Sequence, residues 1–276
     1  MPDTLSPSLP ASSLRRRTLG ALLGAALTLG LGAVTPAAVQ AAEIRVVTSG
    51  GFSAAYDQLV PLYEQATGNK VTTARGASIG NAPDSIPSRM ARGEQFDVVI
   101  LADSALDKLT EQGKVQAGSR VDLARSMIGM SVRKGTPRPD ISTVDALRQT
   151  LLNAKSIAYS ASASGTYLST ELFQRLGVAE QIKDKAKKIY SERVGAVVLR
   201  GDAEIGFQQV SELLPFKELD FVGPLPDEVQ QRVFFSAGVA TGAQEPEAAR
   251  QLIRFLAAPA AASIVRSTGM EPAAAR

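Results

Sequence analysis

Residues 91–103 read ARGEQFDVVILAD, and the central run from Asp97 to Leu101 decides the fold class. A continuous apolar run without polar alternation belongs to a strand buried on both faces, as in the middle of a parallel sheet. Gly93 stops a helix predicted over Ile86–Arg92, and a further helix, Ser104–Gln112, follows the strand and ends at Gly113. The same alternation extends in both directions. Upstream, Glu43–Thr48 (EIRVVT) is a strand, Ser49-Gly50-Gly51 a turn and Ser53–Thr67 a helix, with Leu59, Leu62 and Tyr63 at helical spacing and Gly68-Asn69 as its stop. Lys70–Ala74 is a strand that runs into the small-residue loop Arg75–Gly80. Downstream come strands at Ser126–Arg133, Ser156–Tyr159, Ile205–Gln208, Phe221–Gly223 and Arg232–Val239. Between and after them lie helices at Thr143–Asn153, with Thr143 as cap, and at Tyr167–Leu176, Val194–Arg200, Pro246–Ala257 and Ala260–Ser267. Repeated strand, loop and helix units predict an α/β fold of mostly parallel sheets with helices on both faces. The run Lys183–Lys188 reads as a solvated face, and Pro272–Arg276 as a poorly ordered end.

The N-terminus reads differently. Arg15-Arg16-Arg17 precede a short, glycine-diluted apolar stretch, Thr18–Val34, and Val39-Gln40-Ala41 has the small-residue spacing of a signal-peptidase site. The stretch is too short for a comfortable membrane span. Residues 1–41 are therefore expected to be a cleaved signal, exported to the periplasm by the Sec or the twin-arginine route. The remaining 235 residues carry 27 basic and 26 acidic side chains, so the excess positive charge belongs mainly to the signal. That balance gives no nucleic-acid footprint.

Cysteine, histidine and tryptophan are absent. The first absence removes disulfides, thiolate nucleophiles and zinc–thiolate sites. The second excludes a Ser-His-Asp hydrolase and leaves any acid–base chemistry to Asp, Glu, Lys, Tyr or Ser. The third leaves a poor surface for stacking sugars.

Three small polar segments follow strands and precede helices: Ser49, Gly50, Gly51 and Ser53; Gly76, Ala77 and Ser78; and Ser162, Ser164, Gly165 and Thr166. Glycine lets backbone N–H groups approach a ligand, hydroxyls add donors, and helix N-termini favour negative charge. In a parallel α/β sheet such segments meet at the carboxyl ends of the strands. Converging, they would hold a small anion without metal or cofactor. Arg75 and Arg193 are candidate clamps for a carboxylate. Tyr159 and Tyr167 lie where a hydroxyl can reach the third segment or simply pack. Asp97, opening its strand, reads as structural.

Four stretches, VVTSGGFSAA, GAS with ARGEQFDVVILAD, SASGTYLSTELFQRLG and RGDAEIGFQQVSELL, resemble the periplasmic molybdate-binding proteins and their wider type II solute-binding relatives over residues 43–270. The resemblance implies two α/β lobes joined by crossing strands, with ligand in the cleft between them. Lobe one would be 42–124 with 240–276, and lobe two 125–239, with Ser126–Arg133 and Arg232–Val239 near the hinge. Departures from the family's pattern fall on ligand positions. Gly50-Gly51 replace its Ala-Ser, and Ala77 replaces the neighbour of the matching Ser78. The segment Ser164–Tyr167 lacks the preceding proline, and Gln209 stands where the family has a ligand-facing tyrosine, with Ser211 and Glu212 after it. These changes count against molybdate itself and suit an organic acid.

Two functions are then expected. One is an exported, monomeric receptor for a small anion, an oxyanion or a di- or tricarboxylate, that closes on its ligand and docks on an inner-membrane ABC permease. The other follows from a resemblance to the aconitate isomerases: a cofactor-free 1,3-proton shift interconverting trans- and cis-aconitate. With no histidine, Tyr167, Glu192, Glu212 or a lysine would be the base. A structural or adhesive role is a third reading.

Overall fold

The structure, a computed structural model, describes residues 41–273, so nearly all of the expected signal and the last three residues lie outside the described part. Its elements in order are β1 (Glu43–Thr48), α1 (Gly50–Thr67), β2 (Lys70–Arg75), α2 (Ile86–Ala91), β3 (Val98–Ala102), α3 (Asp103–Glu111), β4 (Val121–Arg133), α4 (Val144–Asn153) and β5 (Ile157–Ser160). Then come α5 (Ala163–Tyr167), which runs through a π turn into α6 (Phe173–Arg175), followed by α7 (Ala179–Ile182), β6 (Ala186–Ile189) and α8 (Val194–Arg200). The chain ends with β7 (Ile205–Gln209), α9 (Val210–Leu213), β8 (Leu219–Pro224), β9 (Arg232–Val239), α10 (Pro246–Leu256), α11 (Ala262–Ser267) and β10 (Glu271–Pro272).

The strands join in the order β2-β1-β3-β9-β4-β7-β5-β6. Two parallel cores result: β1 pairs parallel with β2 and β3, and β5 pairs parallel with β6 and β7. Antiparallel β9 and β4 join them. The first half of β4, Val121–Met127, pairs with β9, and the second half, from Ile128, pairs with β7 and β8. One long strand, Val121–Arg133, thus pairs into both cores, and it begins five residues before the Ser126 anticipated from sequence.

Burial follows the two-residue period of a strand. Val98, Ile100 and Ala102 of β3 pack with α1 and α10, while Val99 and Leu101 pack with α2 and α3. In β5, Ile157 and Tyr159 face one cluster and Ala158 the other. Helices therefore cover both faces of the central strands β3 and β5, which is why both are buried along their whole length. Asp97 is structural, as read: fully buried, it accepts backbone N–H groups from Arg45 at 2.7 Å, Gln244 at 2.6 Å and Glu245 at 3.1 Å. It thereby ties β1 to the approach to α10. Thr143 caps α4 by accepting the Ala146 N–H at 3.1 Å. Gly68 ends α1 at φ 76°, a left-handed position that glycine adopts without strain.

Several boundaries differ from expectation for local reasons. Gly50 and Gly51 are not a turn but the first residues of α1, and the third polar segment runs from the Ser162 cap into α5. The second segment does not enter a helix directly, since α2 starts only at Ile86. Within the lysine-rich run, residues from Ala186 form edge strand β6, which exposes Lys187 and Lys188 while Ile189 is half-buried. Glu271–Pro272 pair with β4 instead of fraying. The short elements α7 and α9 carry too few residues for periodicity to register. Among the described residues no helix is long and apolar enough to cross a membrane.

Candidate functional site

The carboxyl end of β1 passes through Ser49 straight into α1, so the unpaired N–H groups of an 18-residue helix open at Gly50. Opposite lie the ends of β5 and β7. Between them is a cleft of about 180 Å³, walled by Gly50, Ser53, Arg75, Gly76 and Ala77 on one side and by Ser160, Ala161, Ser162, the segment 189–193, Gln208 and Glu212 on the other. It is small beside the roughly 300–1,000 Å³ of a drug-sized pocket and suits a compact ion. The Ser78 N–H donates to Ser162 Oγ at 3.1 Å, drawing the second and third polar segments together.

The cleft's cations come from two elements. Arg75, at the end of β2, donates to Ser53 Oγ at 2.8 Å and to Asp57 at 2.6 Å, so its guanidinium is held at the rim. Arg193 precedes α8, is half-buried and lines the cleft without a direct ion pair among the described residues.

Glu212, in α9, is the unusual group. It is 8% exposed. Gln208 Nε2 donates to its Oε1 at 2.8 Å, while Gln208 Oε1 accepts the Val194 N–H at 2.9 Å. The second oxygen, Oε2, makes no hydrogen bond among the described residues and is not sealed from solvent. Burial pushes this carboxyl up to about 7, against the opposing pull of the Arg193 charge and of the Gln208 hydrogen bond. A carboxyl balanced between its two states near neutral pH, with one oxygen free toward a cleft, can take a proton and return it.

The other candidate bases are engaged elsewhere. Glu192 lines the cleft, but Arg200 grips both of its oxygens, at 2.7 and 3.0 Å, and holds it below the ordinary glutamate range. Tyr167 donates its hydroxyl to the Val229 carbonyl at 2.7 Å, and burial raises its pKa. Tyr159 packs edge-on against Phe173 with ring centres 5.6 Å apart. No lysine lines the cleft among the described residues.

Of the binding residues expected from sequence, Gly50, Ser53, Arg75, Gly76, Ala77, Ser162 and Arg193 meet on the cleft walls. Gly51, Ser78, Ser164 and Gly165 stand behind them. Ser78 is fully buried and its Oγ accepts the Ala102 N–H at 3.0 Å, bracing the end of β3. Ser164 Oγ lies 3.2 Å from Ser160 Oγ. A side chain at Gly165 would overlap the Ser160 carbonyl, so glycine is needed there for close packing. Thr166 lies within α5 and accepts at its carbonyl from Thr170. Ser49 Oγ and both amide atoms of Gln209 are buried without hydrogen-bond partners. Sequence reading missed Gln208 and Asp84 as cleft residues. Gln208 lies in a strand buried on both faces, and such a strand carries no alternation to mark the wall-facing side.

The chain has counterparts among known proteins. An aconitate isomerase from Pseudomonas sp. is 46% identical over 255 residues, covering 90% of this chain and 97% of the relative. The molybdate-binding protein ModA of Azotobacter vinelandii is 27% identical over 250 residues, 88% of this chain and 96% of that one. The solved structure of the Azotobacter vinelandii periplasmic molybdate-binding protein superposes with a TM-score of 0.67 at 21% identity, covering 82% of this chain and 98% of that one. The sequence profile of the bacterial extracellular solute-binding proteins matches residues 44–271. The chain therefore belongs to the bacterial extracellular solute-binding proteins, in the molybdate-binding-protein-like branch that also includes aconitate isomerases.

Proposed function

We propose that the protein is an exported aconitate isomerase that uses the solute-binding cleft as an active site, with Glu212 as its single acid–base group. The observation that carries this reading is the Glu212 carboxyl: nearly buried, titrating near 7 and open to an anion-binding cleft. The 46% identity to an aconitate isomerase over 97% of that enzyme supports the same reading.

The reaction needs no redox partner. Glu212 takes a proton from the methylene carbon of trans-aconitate, the electron pair delocalises over the allylic system into a conjugated carboxylate, and the double bond shifts by one carbon. The same carboxyl returns the proton to the former vinyl carbon, and the conformation in which the cleft holds the former methylene–carbon bond as it becomes the double bond makes the product cis-aconitate. Arg193 and the N–H groups at Gly50 stabilise the charge that develops, and Arg75 with Ser53 and Ser162 hold the remaining carboxylates. Residues 1–41 direct export, the crossing strands divide the chain into lobes 42–124 with 240–276 and 125–239, and the chain works as a monomer without metal or cofactor.

The experiment is incubation of purified protein lacking residues 1–41 with trans-aconitate, following cis-aconitate by chromatography. Conversion that disappears in Glu212→Gln supports the reading, and its absence in the unmodified protein overturns it. The second reading, a receptor delivering a di- or tricarboxylate to a permease, is favoured by the ModA relative. Thermal stabilisation by aconitate or citrate without turnover would support it.

A further inference from the structure

Gly50 and Gly51 open α1, yet neither has the positive φ that calls for glycine. Glycine weakens a helix by about 1 kcal/mol relative to alanine, so a reason other than backbone freedom keeps it here. The reason is space. A Cβ at Gly50 would stand 2.9 Å from Cδ of Glu212 and closer still to Oε1. At Gly51 it would fall on the Phe235 ring, and the Gly51 carbonyl accepts Ser211 Oγ at 2.6 Å. These contacts pin the first turn of α1 against α9, so the helix cannot retreat to admit a methyl group at position 50. The carboxyl is pinned as well. The Val194 N–H fixes which way the Gln208 amide points, and that amide fixes Oε1.

We propose that Gly50 is a positioning residue whose missing side chain forms the notch that seats the Glu212 carboxyl, and that this notch separates a cleft able to move a proton from one that only binds. The consequence for turnover rests on the isomerase reading; the seating of the carboxyl does not. Arg193 is the cation whose charge acts on Glu212, and Arg75, Asp84, Glu192 and Tyr190 line the same cleft. No charged side chain comes from Gly50, Gly51, Phe52 or Ser53 in the facing turn of α1. Expelling the carboxyl from the notch exposes it to water and removes the desolvation that keeps it protonated near neutral pH.

The test is Gly50→Ala in the full mature chain, with glutamate labelled by ¹³C at the carboxyl and the Glu212 resonance assigned by its loss in Glu212→Gln. In the variant the Glu212 titration should move down toward the ordinary glutamate range. The turnover number should fall about a hundredfold, the scale expected for a misplacement of about 1 Å, while KM changes little. The double variant Gly50→Ala/Glu212→Asp withdraws the carboxyl by one methylene: its carbon takes the place of a Cγ that lies 3.6 Å from the new methyl, an ordinary contact, and its oxygens are free to turn away from the former Cδ position at 2.9 Å. It should restore an elevated titration. An unchanged Glu212 titration in Gly50→Ala overturns the proposal. If Gly50→Ala does not fold, folding of the double variant supports the clash with Glu212, and failure of both overturns it. If the unmodified protein shows no turnover but Gly50→Ala still shifts the titration, the isomerase reading falls and the notch stands.

Discussion

Replacing Glu212 by glutamine keeps the shape of the cleft and an acceptor for Gln208 while removing one titrating group. In the folded chain this carboxyl titrates near 7, against an ordinary 4.5, because burial favours its neutral form. The folded protein therefore holds the proton more tightly than the unfolded chain does. Stability from this group is fully present below about pH 4.5, is lost as pH rises through 7, and stays lost above that. At 1.36 kcal/mol per unit, the loss is on the order of 3 kcal/mol, which for a chain of this length corresponds to roughly 6–12 °C in Tm. Glu212→Gln is free of that loss. Its Tm should gain on that of the unmodified protein between pH 4.5 and 7.5 and keep a constant lead above. Thermal scans from pH 4.5 to 8.5, without ligand and at fixed ionic strength, read the difference and cancel every other titrating group. Turnover should be abolished in the variant, and kcat of the unmodified protein should rise with pH along an acid limb near 7 as the base deprotonates. Parallel Tm curves for the two proteins would refute the burial argument, and a flat kcat between pH 5 and 8 would refute the base assignment.

Three further outcomes follow from neighbouring groups. Arg193→Gln removes the charge that opposes protonation of Glu212, so the acid limb should move to higher pH and affinity for a tricarboxylate should drop about tenfold or more, read by pH–rate profiles and calorimetry. Gln209→Leu removes a buried amide with both polar atoms unpartnered and should raise ligand-free stability by about 1–3 kcal/mol in denaturant titrations. If the amide also touches ligand, the ligand-induced gain in Tm shrinks in the same variant. Asp97→Ala strands three backbone N–H groups, from Arg45, Gln244 and Glu245, and should cost about 3 kcal/mol or more without changing the pH dependence of turnover.

Much of the architecture was legible because it is repetitive and local. The apolar run 98–102, the glycine stops at Gly68 and Gly201 and the Thr143 cap each act within a few residues, so reading them needs no knowledge of the rest of the chain. Where reading faltered, the determinant was distant. Glycines at 50 and 51 suggested a turn, but they open a helix, where Glu212 and Phe235 occupy the space that side chains would need. The second polar segment suggested a helix cap, yet its Ser78 serves β3. Seven of the expected binding residues reach the cleft wall, and Gln208, which no local pattern marks, stands among them.

The amino-acid sequence alone determined the alternating α/β layout, the absence of histidine and cysteine chemistry, and a short set of candidate bases, Tyr167, Glu192, Glu212 or a lysine. Choosing among them was left to tertiary structure. The proton affinity of a carboxyl depends on how much water and which charges reach it, and these are set by contacts between segments far apart in the chain. Glu192 and Glu212 are the same residue type twenty positions apart. Arg200 holds one at the surface as a carboxylate, while Gly50 and Gln208 enclose the other where it can keep a proton.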